Sequence, residues 1–185
     1  MAWNIDLGHS NVQFSVRHLM VSKTRGTFNQ FSGTVDYNEA SPSASSVDVT
    51  IDIASVDTKD EKRDGHLKSP DFFDLATYPT MTFKSMRVEV IDDHHGKIYG
   101  NLTIRDVTKE VVLNTEFSGT AKSPWGSESA GFSASTKLNR KDYGLNWNVP
   151  LETGGWLVGE DVTIDIELEI VKQPEAQPEP EIAVA

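Results

Sequence analysis

Residues 162–170 read Val-Thr-Ile-Asp-Ile-Glu-Leu-Glu-Ile. Every second side chain is aliphatic, and Thr163, Asp165, Glu167 and Glu169 fill the places between. Side chains of an extended chain alternate between two faces, so this run has one greasy face and one wet face. At helical spacing the same residues would mix on every face. The segment therefore reads as a strand covering a core on one side only.

The same alternation recurs in both directions along the chain. Val47, Val49, Ile51 and Ile53 alternate with Asp48, Thr50 and Asp52. Ile98, Leu102 and Ile104 share a parity with Gly100; Val111, Leu113 and Phe117 form a further set, as do Ala130, Phe132, Ala134 and Leu138. Val12, Phe14 and Val16 alternate with Gln13, Ser15 and Arg17, and then His18 takes the apolar parity. Two segments lose parity midway, between Phe28 and Phe31 and between Phe83 and Met86. One extra residue in a strand does this, so both predict β-bulges, which bend strands. With 12–20 and 26–37 included, the reading is all-β with about eight strands.

Eight antiparallel strands with one apolar face form a sandwich or a barrel, and a barrel of this size is filled or holds one small ligand. Gly33, Gly100, Ala130 and Ala134 fall on the apolar face. Small inward residues favour a cavity over a filled core. Thr58-Lys59-Asp60-Glu61 has the form of a capping box, followed by a short helix to about Leu67. Ser69-Pro70-Asp71 offers a second helical start, and Phe72 and Phe73 follow. This helical segment, around residues 59–74, is expected to cover one barrel end. Loops are expected at 120–129 and 148–160.

The 185 residues are expected to form one domain over 1–171. Residues 172–185, rich in Pro and Glu, are expected to be a disordered tail. The formal charge of −11 argues against a nucleic-acid partner and against adhesion to anionic lipid by charge alone. The absence of cysteine excludes disulfides and thiolate chemistry. No segment has the length and apolarity of a membrane span. The first residues have no signal-peptide pattern, so the chain as given is expected in the cytoplasm, or in the periplasm if a leader was trimmed.

The chain resembles the YceI-like family, lipocalin-like polyisoprenoid-binding proteins, over about residues 3–170. The resemblance starts at Trp3, Asp6, His9, Ser10, Phe14, Val16 and His18, then Gly26, Phe28, Phe31 and Gly33. It continues through Arg63, Asp64, His66, Leu67, Ser69 and 71–74, then Tyr78, Pro79, Phe83 and Ser85. It closes with 100–104, Gly131-Phe132, 140–144 and 158–162. It implies an eight-stranded antiparallel lipocalin-like barrel around an elongated apolar pocket. The implied ligand is a long-chain isoprenoid or fatty-acyl amphiphile, and no cofactor is implied. The resemblance also points to a homodimer, with an edge strand or Phe72 and Phe73 as its contact. One departure is Asp106, where the family usually has a turn glycine; if that turn needs positive φ, Asp tolerates it.

The expected pocket wall is Phe14, Val16, His18, Phe31, Val35, Val49, Ile51, Phe83, Leu102, Ile104, Phe132, Ala134, Ile164 and Ile166. Arg17, Arg63, His66, Arg105 and Arg140 are the candidates to meet a polar or anionic head group, Arg being suited to phosphate. No metal site is expected: His9 and His18 have opposite parity, and His94-His95 reads as a hairpin turn. No nucleophile elbow or triad order can be read, so no catalytic residue is assigned. His18 is expected to hydrogen-bond within the wall, with a contact to ligand as the alternative. The reading is a non-catalytic lipid carrier. An enzyme using the barrel as a vessel and a filled-barrel interaction module are the alternatives.

Overall fold

The computed structural model describes residues 3–172. Eleven strands are present: β1 (Trp3–Ile5), β2 (Asn11–His18), β3 (Ser22–Phe28), β4 (Phe31–Asp36), β5 (Ser46–Asp52), β6 (Val56–Asp57), β7 (Thr80–Val90), β8 (His95–Ile104), β9 (Val107–Lys122), β10 (Glu128–Asn139) and β11 (Val158–Lys172). A single helix, α1 (Glu61–Lys68), lies between β6 and β7.

Six of these strands are halves of three. β11 pairs along one edge with β2 and then, further on, with β1, so β1 and β2 act as one interrupted strand. Across the interruption Ser10 Oγ accepts from Glu169 N at 3.0 Å, and Asp6 N donates to Glu169 O at 2.9 Å. β3 and β4 are separated only by Asn29 and Gln30; β5 and β6 are separated by a 3-10 turn at Ile53–Ser55. Counted this way, eight antiparallel strands follow one another in sequence order. Pairing of β11 with β1 and β2 closes the ring. Closure leaves a barrel without free sheet edges along most of its height.

Of the two predicted bulges, the one in β7 is found, and the other is a two-residue break between β3 and β4. Phe28 and Phe31 are both buried because Asn29 and Gln30 restore the inward parity. The β7–β8 register shifts between Ser85 and Arg87, which leaves Met86 exposed. Two further register shifts lie between Val158 and Val162 on β11 and opposite Gly131 and Phe132, where β9 carries Ser118 as the extra residue. Sequence parity passed over the latter because Phe117 faces inward before the shift.

Several expectations need correction. The N-cap of α1 is Asp60, which accepts from Lys62 N and Arg63 N. Thr58 is buried instead, bonded to the Asp64 carboxylate and to Arg63. The β8–β9 turn puts positive φ on Arg105 (57°), not on Asp106. Lys172 belongs to β11 and pairs with Glu39 and Glu128, so it is not tail; residues 173–185 lie outside the described residues. The expected loop at 120–129 shrinks to the β9–β10 hairpin, and β11 begins at Val158.

Strand directions place α1, the β2–β3 hairpin tip and the 140–157 segment at one end of the barrel. The other end carries the β4–β5 connection and the β7–β8 and β9–β10 hairpins. The larger core cluster includes Phe28, Ile53, Phe72 and Tyr143 beside the helix. A smaller one, Trp3, Val35, Ala130 and Ile170, lies at the hairpin end. There Tyr37 packs on Phe132 and Phe117 with ring centroids 5.1 and 5.9 Å apart.

Candidate functional site

The inward faces of the strands enclose a cavity of about 940 Å³, near the upper end for small-molecule sites. All of the side chains expected in the wall line it, from Phe14 and Val16 on β2 to Ile164 and Ile166 on β11. The helix end adds Leu67, Phe72, Phe73, Leu145 and Trp147, which strand patterning did not supply. Leu145 and Trp147 do share a parity, a period-two signal inside a stretch that otherwise reads as loop. Phe72 and Phe73 turn inward: Phe72 is buried, and Phe73 meets Phe28 edge-on at 5.8 Å. That removes them as an exposed dimer contact.

Small residues play a different part from the one expected. A Cβ on Gly100 would sit 2.4 Å from Phe83 Cζ, and one on Gly26 would sit 2.4 Å from Phe14 Cζ. A Cβ on Gly33 would meet the Asp48 carbonyl at 2.1 Å. These glycines admit a ring or a neighbouring strand. The empty volume exists beside them, not because of them. Ala134, by contrast, lines the cavity and faces open volume along with Phe132.

The five head-group candidates separate once their partners are seen. Arg140 is buried and held by main-chain oxygens: Nε donates to Gly159 O at 2.7 Å and Nη1 to Trp147 O at 2.9 Å and Leu145 O at 2.5 Å. Burial lowers its pKa, with the Glu160 charge opposing the shift. It staples the 140–157 segment to β11. Arg63 donates to Thr58 Oγ1 at 2.8 Å and Thr58 O at 2.7 Å. His66 lies 2.8 Å from Asp71, with its ring edge-on to Trp147 at 4.5 Å. Arg105 does not line the cavity; it reaches Gly144 O at 3.4 Å and covers the Tyr78 ring. Arg17 lines the mouth, is exposed, and makes no ion pair among the described residues.

His18 ends the ladder Val12, Phe14, Val16 at the same mouth. It is half-buried, and its ring has no protein hydrogen-bond partner among the described residues. The expected wall bond is absent because β2 ends here and water reaches the ring. The far mouth has the opposite character: Glu39, Glu89, Asp92 and Asp93 line it, with His94 and His95. The cavity is thus apolar along its length, basic at the helix end and acidic at the hairpin end.

Outside the barrel, Asp6, His9 and Glu169 bring ligand atoms within 4.8 Å of one another. His9 Nδ1 is 3.0 Å from Asp6 Oδ2, and none of the three lines the cavity. Their hydrogen bonds tie the β1–β2 interruption to β11, which accounts for the group.

The YceI-like domain matches residues 3–170. The chain belongs to the YceI-like family. A UPF0312 protein of Staphylococcus aureus is 38% identical over 168 residues, covering 90% of this chain and 95% of that one. BcnA of Burkholderia cenocepacia superposes with a TM-score of 0.77 at 25% identity, over 90% of this chain and 99% of that one. A polyisoprenoid binding domain from Saccharophagus degradans, implicated in plant cell wall breakdown, shares the fold. Its TM-score is 0.68 at 18% identity, over 94% of this chain and 99% of that one.

This YceI-like barrel has one further opening. β9 and β10 stop pairing beyond Asn114 and Ser135, although both strands continue. A side cavity of about 450 Å³ fills the resulting fissure and shares Val111, Thr136 and Leu138 with the main one. Tyr143 lines it, buried, and burial pushes its phenol pKa up to about 12.

Proposed function

We propose that this YceI-like protein binds, sequesters or carries one long-chain amphiphile, of polyisoprenoid or isoprenoid-quinone type, without catalysis. The observation that carries the reading is the apolar cavity running between the two barrel ends. A chain of repeating branched carbon units buries area along its whole length, and each Å² contributes about 25 cal/mol before association costs. Few polar side chains interrupt the wall between the mouths, which suits a chain and not a sugar or nucleotide. The polyisoprenoid-binding neighbour supports the same ligand class by fold.

The polar end of the ligand belongs at the helix end in this reading, beside Arg17 and His18. Arg63, His66 and Arg140 also border that mouth, but each is already held by hydrogen bonds within the protein. The acidic far mouth repels an anionic head, so charge sets the ligand's direction.

Native mass spectrometry of gently purified protein, before and after organic extraction, tests the reading. We expect a bound mass of one amphiphile that extraction removes, and saturable rebinding of a prenyl probe. A homogeneous unliganded mass together with no saturable binding of prenyl or acyl probes would overturn it. A bound lipid released in chemically altered form, with conversion lost on substitution of His18, would instead identify an enzyme.

A further inference from the structure

The β2–β3 hairpin turns through Leu19, Met20 and Val21. Leu19 and Met20 lie in the left-handed region, at φ 52° and 63°. Hairpin turns that need this conformation usually take Asn, Asp or Gly, because a bulkier side chain is strained there. All three residues are also exposed, Met20 by 61% and Val21 by 81%. The tip therefore combines backbone strain with wetted apolar surface. Such a combination points to a use outside the fold.

A second loop lies against the first. Leu19 N donates to Leu157 O at 2.9 Å, and a Cβ on Gly155 would sit 2.5 Å from Met20 Sδ. This loop adds exposed Val149 and Trp156. The two loops form one apolar tip on the rim of the cavity: His18, on one side, and Leu157 and Val158, on the other, line its mouth.

Charge distinguishes this tip from the other apolar surfaces. The chain carries a net charge of −11, yet residues 7–35 hold Arg17, Lys23 and Arg25 and no Asp or Glu. Arg17 and Lys23 are cross-strand partners, both exposed, and neither forms an ion pair among the described residues. Glu152 is the one acid on the two tip loops. In the neighbouring helical segment Asp60 caps α1, Asp64 accepts from Thr58 and Asp71 meets His66, while Glu61 and Asp74 form no ion pair among the described residues. The hairpin end also exposes Ile91 and Trp125, but Glu89, Asp92 and Asp93 lie there.

We infer that the Leu19–Val21 tip, with Val149 and Trp156, docks on an anionic lipid bilayer. Apolar side chains and a tryptophan enter the interfacial layer while Arg17 and Lys23 face lipid phosphates. The distant acids do not prevent this, because charge is screened over about 8 Å at physiological ionic strength. Docking sets the cavity mouth against the membrane, so an amphiphile passes between bilayer and barrel without crossing water. The purpose of docking rests on the carrier reading; the docking itself is measured separately.

Co-sedimentation of extracted protein with sucrose-loaded vesicles tests it, using phosphatidylcholine alone and phosphatidylcholine with 30% phosphatidylglycerol. We expect binding to the anionic vesicles that falls at least tenfold in Met20→Asp/Val21→Asp and several-fold in Arg17→Ser/Lys23→Ser. Trp125→Ala, at the far end, should bind as wild type does. Brominated lipid should quench the wild-type fluorescence, and Trp156→Phe should lose that quenching, a readout that does not depend on the aspartate variants folding. Wild-type protein that fails to sediment, tip variants that bind as wild type does, or equal loss in Trp125→Ala would overturn the inference. So would self-association abolished by the tip variant in sedimentation velocity, which would make the tip a contact between copies. Prenyl-probe binding without vesicles separates the two readings. Its retention in Met20→Asp/Val21→Asp leaves the carrier reading intact, and its absence in wild type refutes that reading whatever the vesicles show.

Discussion

His9 shows how a surface histidine is tuned by its neighbours. The hydrogen bond to Asp6 raises its pKa, and the charges of Asp6 and Glu169 add to the rise. Asp6 is lowered in return, first by the same bond. A raised histidine contributes stability fully below its ordinary pKa and loses it as pH rises through the folded value. A lowered aspartate contributes above its ordinary pKa and loses this as pH falls through the folded value. The pair therefore contributes fully at pH values between the ordinary pKa values of the two groups, 3.8 for Asp6 and 6.5 for His9. A two-dimensional NMR titration should show His9 titrating above an ordinary histidine, and Asp6→Asn should bring it back down. An unchanged midpoint in Asp6→Asn would refute the assignment. Arg140 is the buried counterpart. Its removal in Arg140→Met strands the carbonyls of Leu145, Trp147 and Gly159. Each orphaned buried acceptor costs about 1–3 kcal/mol, and water reaches some of them after relaxation. We expect a loss of about 2–4 kcal/mol in urea unfolding, with the m-value unchanged. The sequence showed an arginine beside a pocket; the carbonyls that claim it come from a loop whose path no local pattern encodes.

At the scale of elements, glycine positions separate into those that fill and those that merely occur. Gly100 on β8 receives the Phe83 ring, so Gly100→Leu forces ring and strand apart. Overpacking of this kind costs about 1–3 kcal/mol. Gly131 on β10 has no such neighbour: its nearest atom to an added Cβ is Ser118 Cβ at 3.5 Å. Gly131→Ala should therefore be neutral or stabilise by about 0.5 kcal/mol through the unfolded chain. Thermal unfolding of the two variants checks both signs, and a Gly100→Leu midpoint equal to wild type would show that Phe83 has room to move. Strands and the bulge in β7 were legible because inward parity is a local property. The helix cap was not. Thr58 and Asp60 both suit an N-cap, and the choice fell to Asp60 because Thr58 is drawn into the bonds with Asp64 and Arg63.

For the molecule as a whole, the proposed carrier function makes stability depend on ligand. Anything that binds only the folded state adds RT ln(1 + [L]/Kd), about 2.7 kcal/mol at a hundredfold excess over Kd. Extracted protein should therefore melt lower than protein carrying its lipid, and a prenyl probe should restore the midpoint. Ala134→Trp places an indole in the cavity between Phe132 and the β11 wall. It should keep a β-sheet circular dichroism spectrum and lose both probe binding and the ligand-dependent rise in midpoint. Unchanged affinity would show that this part of the wall does not border the ligand.

The sequence by itself determined that this chain is a set of about eight half-buried antiparallel strands and which side of each faces inward. Side-chain alternation is local, and one apolar face per strand leaves few architectures. It also determined the strand-borne part of the cavity wall, since inward residues of a small barrel border its axis. Tertiary structure alone decided which polar groups stay free at the mouth. Arg17, Arg63, His66, Arg105 and Arg140 are alike in sequence as cations near a pocket. Their partners come from Thr58, Asp71, Gly144 and the carbonyls of the 140–157 segment, brought together only when the barrel closes. It likewise decided that Leu19-Met20-Val21 and Trp156 form one tip, because residues more than a hundred positions apart meet only through the β2–β11 seam.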